Sequence, residues 1–152
     1  MNRLTQQEAK MLIDMLKNIA QGKVDFPSEK GRISPPLLAK SIDEKENFVI
    51  DMSRAGINAN KATYQARHKR TNQILLRLDV NPTQRHPNPD GSMIEAGVNH
   101  LHIYTEEHGD RWAIAFDTEN KELDEICYLF FDRFNIIERP EIIVDRQLRL
   151  PI

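Results

Sequence analysis

A single cysteine, Cys127, stands among the 152 residues. An internal disulfide is therefore impossible, and the cysteine-rich ligand sets of zinc fingers are excluded. The sequence also lacks any apolar run near the ~20 residues that a membrane-spanning helix needs. Its first stretch, "MNRLTQQEAKM", has none of the apolar core that marks a signal peptide. No internal repeat or low-complexity tract is visible. These absences lead to an expectation of a cytoplasmic protein with no membrane partner. What remains is 39% hydrophobic and 29% charged, the balance of a soluble globular chain, with 1–152 expected to form a single domain.

Charge of one sign is also lacking overall, since the net charge is -2. The distribution says more than the total. From Arg54 to His86 there are seven basic residues and one acid, Asp79, giving 7 − 1 = +6; the remainder has 14 basic and 22 acidic residues, giving −8. Such segregation can present a cationic face to a polyanion such as RNA, or can simply be a solvated hairpin.

Thr5-Gln6-Gln7-Glu8 fits a capping box, and Leu12, Met15, Leu16 and Ile19 follow at helical spacing, predicting a helix from Thr5 to Gln21. Lys23 to Pro36 reads as loop, with a helical turn at Leu37–Lys40. "NFVIDM", "KATYQARHKR", "QILLRLDV", "VNHLHIY" and "RWAIAFD" alternate as strands do, and Thr71-Asn72 joins the second and third as a hairpin. Pro89, Asp90 and Gly91 mark a turn. Asp117 or Thr118 can cap a second helix, whose stripe is Leu123, Ile126, Cys127, Phe130, Phe131 and Phe134. Beyond Pro140, "EIIVDRQLRL" is a further strand or an extended tail. The expected fold is α+β: an antiparallel sheet of about five strands with an N-terminal and a C-terminal helix packed on one face.

The strand period then selects a candidate site. With Leu101 and Ile103 facing the helices, His100, His102 and Tyr104 line the open face of the fourth strand. Two chemistries fit. Metal-independent RNA cleavage needs a base, an acid and a cation; His100, His102 and His86 supply the first two with Tyr104 assisting, and Arg67, Lys69, Arg77 and Arg85 are the phosphate contacts. No cofactor is required on that reading. Alternatively, His-x-His on a strand aims two imidazoles at one ion, with Glu106 as a third metal ligand. "HLHIYTE" matches the His-x-His-x3-Glu core of the cupin motif. The motif's glycine positions, however, fall on Ile94 and Ala113, and no second motif follows. A third reading is a non-catalytic module whose open sheet binds a protein partner. The strand order decides among them, because it determines whether His86 and Arg67 or Arg77 reach His100 and His102.

"FVIDMSR", "KATYQARHKR", "LLRLDV", "HPNPDG", "HLHIY" and "RWAIAF", in that order, resemble an uncharacterised family of small proteins from Gram-positive bacteria, their phages and mobile elements. The resemblance runs from "LTQQEAKMLI" to "RWAIAF". It carries no established activity. It implies emphasis on Tyr64, Gln65, Arg67, Arg77, Asp79, His86, Asn88, Asp90, Gly91, His100, His102 and Tyr104, and a setting among phage, defence or toxin–antitoxin genes. "NPTQRH" is longer and more basic than the family pattern at that point.

Overall fold

The computed structural model describes residues 3–27, 33–54 and 60–144. Its elements are α1 (Gln6–Asp14), β1 (Lys17–Ile19), β2 (Lys23–Asp25), β3 (Leu37–Ser41), β4 (Asn47–Arg54), β5 (Ala62–His68), β6 (Ile74–Val80), β7 (His86–Pro87), β8 (Met93–Ile94), β9 (His100–Ile103), β10 (Ala113–Ala115), α2 (Leu123–Arg133), β11 (Ile136–Glu138) and β12 (Glu141–Ile143). The tail from 145 to 152 and most of "RAGINAN" lie outside the described residues.

The capping box starts α1 as the sequence predicts: Thr5 Oγ1 accepts from the N–H of Glu8, and Glu8 Oε1 accepts from that of Thr5. The helix nevertheless stops at Asp14 and not at Gln21. Lys17 accounts for the stop. Its ammonium is fully buried and donates to the carbonyls of Ile13, Met15 and Phe134 at 2.9, 2.8 and 2.8 Å. It also lies 3.8 Å over the Phe134 ring. One cation thus satisfies backbone acceptors beside the C-termini of both helices. From Lys17 the chain runs extended and pairs on both sides, so tertiary pairing overrides the helical period, and Leu16 is left half-exposed.

Eight strands, rather than about five, pair in one sheet in the order β10-β9-β6-β5-β4-β3-β1-β11. The extra ones are short. β3 occupies the segment read as a helical turn, but Leu37 and Ala39 are buried between exposed Leu38 and Lys40, which is a strand period. Neighbours in this sheet are antiparallel except β1 and β11, which run parallel. Two small two-stranded sheets, β12-β2 and β7-β8, complete the pairing among the described residues.

One face of the large sheet supplies the core. Phe48, Ile50 and Met52 of β4, Ala62, Tyr64 and Ala66 of β5, and Leu76, Leu78 and Val80 of β6 are buried with Ile126, Cys127, Phe130 and Phe131 of α2 and with Ala9, Leu12 and Ile13 of α1. Burying each large apolar side chain contributes roughly 1.5–3 kcal/mol. The α2 stripe is as read, but Glu122 caps the helix in place of Asp117 or Thr118, its N–H donating to Glu125 Oε1 at 3.2 Å. Cys127 packs 3.3 Å from Met52 Sδ, and burial pushes its thiol pKa far above the ordinary value, as suits an inert core residue.

Candidate metal centre

The other face of the same strands carries the polar side chains, and register lines them up. One row runs Asp51, Gln65, Arg77 and His102 across β4, β5, β6 and β9; the next runs Ser53, Thr63, Asp79 and His100. The sequence leads one to expect this face to be open. Over β9 it is covered: His100 and His102 are only 3% and 2% exposed. The β7–β8 hairpin brings His86 against both, with ring centroids 5.4 Å from His100 in a stacked pose and 4.7 Å from His102 edge-on.

Each imidazole has one nitrogen tied to the backbone. His100 Nδ1 lies 3.1 Å from Val98 O, His102 Nδ1 lies 2.8 Å from Asp110 O, and His86 Nε2 lies 2.9 Å from Arg111 O. A carbonyl only accepts, so that nitrogen carries a ring proton; the other nitrogen accepts through its lone pair, or donates to Asp79 when it carries a second proton. The free nitrogens of His100 and His102 are both Nε2, and both stand 3.1 Å from one oxygen, Asp79 Oδ2. Two acceptors do not approach this closely without positive charge between them, whether a proton or a metal ion. Arg77 Nη2 also reaches His102 Nε2 at 3.0 Å. His86, His100 and His102 each offer a ligand atom, all within 4.8 Å of one another.

Asp79 is the anion of the cluster. Burial pulls its carboxyl pKa up, but the hydrogen bonds from His100 and His102 and the charge of Arg77 outweigh that and hold it far below the usual carboxylate range. It is therefore a carboxylate at any ordinary pH.

The supporting groups come from loops. Asn88 is buried beyond its place in the turn: its Oδ1 accepts from Ala113 N–H and its Nδ2 donates to Ala113 O, both at 2.9 Å. The side chain thus pairs with β10 as a strand would and pins the hairpin there; Oδ1 is also 3.1 Å from His86 Nε2. Gly91 turns the hairpin at φ +90°, a left-handed conformation that favours glycine. The turn after β9 supplies two of the three backbone carbonyls and, in Asp110, a carboxylate 3.5 Å from Arg77 Nη1.

Of the expected residues, His86, His100, His102 and Arg77 come together, and the others do not. Tyr104 follows the end of β9, where the alternation stops; it is buried in the core with its hydroxyl donating to Leu4 O. Glu106 accepts from the N–H of Gln6, while its own N–H donates to Gln6 Oε1, so it fastens the turn to α1 and is no ligand of the cluster. Arg67 pairs with Asp51, Arg85 pairs with Glu95, and Lys69 is exposed in the hairpin turn beyond β5. The +6 segment is thereby answered by acids from outside it: Asp51, Glu95 and Asp110. Asp79 and Asn88 are emphasised by the family resemblance but are not among the candidate site residues. Alternation puts Asp79 on the polar face, and only register was lacking. Asn88 stands just before the Pro89-Asp90-Gly91 turn, where nothing in the sequence points to its bonds with Ala113.

A cavity of about 400 Å³ borders the cluster, lined among others by Ser53, Lys61, Thr63, Gln65, Arg77 and Asp79. Among the described residues, no helix is long and apolar enough to cross a membrane. A family of unknown function (DUF6978) matches residues 4–136. No curated protein and no solved structure matches the chain.

Proposed function

The chain belongs to this family, and we propose that it is a metal-binding protein that holds one divalent transition-metal ion between His86, His100 and His102, with the Asp79 carboxylate as fourth ligand. One observation carries the reading: three imidazoles each offer a ring nitrogen within 4.8 Å of the others, and each has one nitrogen held by a backbone carbonyl. That outer hydrogen bond sets tautomer and ring orientation and raises ligand basicity, and metal-binding histidines almost always make one. Bonds of about 2.0–2.1 Å to a tetrahedral ion put neighbouring ligand atoms roughly 3.3 Å apart. The 3.1 Å separations between Asp79 Oδ2 and the two Nε2 atoms are already near that spacing, and the three imidazole ligand atoms, within 4.8 Å of one another, have to draw in by about 1.5 Å at most. Three nitrogens and an oxygen suit zinc and its first-row neighbours.

Native mass spectrometry tests this. The purified chain is expected to carry one ion that EDTA removes, and the His100→Ala/His102→Ala double variant to carry none. A wild-type chain that stays ion-free in excess zinc, cobalt and manganese would falsify the proposal.

Metal-independent RNA cleavage is the second reading, and one contact favours it. Arg77 Nη2 on His102 Nε2 sets a cation beside the candidate acid and base. Burial weighs against it, because a base at 2–3% exposure does not meet a 2′-hydroxyl without the hairpin lifting. Cleavage of total RNA in EDTA, lost in His100→Ala, is the result that prefers it to the metal.

A further inference from the structure

Arg77 is held by acceptors that an ion would take from it. Its Nη2 donates to His102 Nε2, the lone pair that a metal claims, and its Nη1 is 3.5 Å from Asp110 Oδ2. Its Nε is buried, 3.4 Å from Asp79 Oδ1, and makes no hydrogen bond. Once His102 ligates an ion, Nη2 joins Nε as a donor in need of a partner. Both sit on a side chain that lines the cavity with Ser53, Lys61, Thr63, Gln65 and Asp79. The Thr63 hydroxyl donates to Asp79, while the Lys61 ammonium and the Gln65 amide keep protons beyond those they give Thr83 and Asp51, and the Ser53 hydroxyl is a further donor.

Charge rises with the same event. Asp79 and Asp110 bring −2, Arg77 brings +1, and without an ion the close approach of Asp79 to an imidazole Nε2 needs one further proton, so the cluster stands at −2 + 1 + 1 = 0. A divalent ion in place of that proton makes it −1 + 2 = +1, with Lys61 at the cavity wall adding to the positive side. An anion gains an attraction in the second state that the first lacks, in surroundings where partial burial strengthens the effect. A planar guanidinium fork matches the oxygens of a phosphate, and the surrounding hydroxyl and amide donors suit a tetrahedral ligand with several oxygens better than a carboxylate with two.

We propose that the metal-loaded protein binds phosphate, free or as the terminal group of an ester, in this cavity through Arg77, and that metal binding is what switches the site on. This rests on the metal reading above. Cobalt(II) serves as the probe ion, because its visible absorption counts bound metal before any anion is added. Calorimetric titration of the cobalt-loaded chain with inorganic phosphate is expected to show binding at least tenfold tighter than in the metal-stripped chain. This comparison needs no variant. Arg77→Lys, which keeps the charge and loses the fork, is expected to weaken phosphate several-fold while cobalt content stays at one per chain. No cobalt uptake would reject the metal reading itself. Cobalt uptake with phosphate equally weak in both states, or with acetate bound as tightly as phosphate, would overturn only the present proposal.

Discussion

Replacing Lys17 by methionine is expected to destabilise the protein by about 3 kcal/mol, a larger effect than removal of almost any single core methylene. Methionine fills much of the same volume but donates nothing. The carbonyls of Ile13, Met15 and Phe134, now served at 2.8–2.9 Å, lose that donor. An unpaired buried acceptor costs roughly 1–3 kcal/mol, and sparing the cost of burying a charge returns part of the sum. Urea unfolding followed by circular dichroism should show a lower midpoint at an unchanged slope. An unshifted midpoint would show that the contacts contribute nothing net. The difference should also depend on pH. Burial lowers the Lys17 ammonium pKa to about 7, against the opposing charge of Asp14. Between that pH and the unfolded value near 10.4 the unfolded chain binds more protons, so folding stability rises with pH there. Methionine has no such titration, and the gap between wild type and variant should widen from pH 7 toward pH 10.

Asn88→Ala is the second large effect, and it falls on metal affinity. The residue touches no ion. It fixes the β7–β8 hairpin to β10 and lies beside His86 Nε2. Outer-shell partners of metal-binding histidines typically contribute 10–100-fold in affinity. Competition with a coloured chelator should show a loss of that size for zinc. Asp90→Ala is the control at the same turn, because the Asp90 carboxylate accepts from the backbone N–H and hydroxyl of Ser92 and, among the described residues, makes no hydrogen bond to the histidine cluster. Similar losses in both variants would mean that turn stability, and not the seating of His86, governs affinity.

The legible and illegible parts of the sequence divide along a physical line. Period-2 alternation placed Arg77, Asp79, His100 and His102 on the polar side correctly, because burial of the opposite face enforces it. The α2 stripe and the Thr5 capping box were equally readable, each being a local signal. Missing was everything set by distant partners. The end of α1 depends on Lys17 meeting Phe134, 117 residues on. β1, β7, β8 and β11 are two or three residues long and carry no period to read. Tyr104 fit the alternation on paper, yet the strand ends one residue before it, and one position is enough to send a side chain to the other face. Glu106 fit a motif's spacing and is instead tied to Gln6. His86 could be nominated but not placed, since its position depends on Asn88 and on the carbonyl of Arg111.

The strand order also has a consequence in time. β5 and β6 are joined by 5 residues, β9 and β10 by 9, and β6 and β9 by 19 that carry the β7–β8 hairpin, whereas the far edge joins Lys17 to Ile136, a span of 136 − 17 = 119 residues. Loop closure over such a distance is repaid only after much else has formed, and parallel pairing is intrinsically slow. Refolding is therefore expected to assemble the histidine meander early and to tie β1 to β11 last. Pulse-labelled amide exchange should protect Leu78 and Leu101 before Asn18. The reverse order would mean that the ends of the chain nucleate the fold and the ligand-bearing strands are added to them.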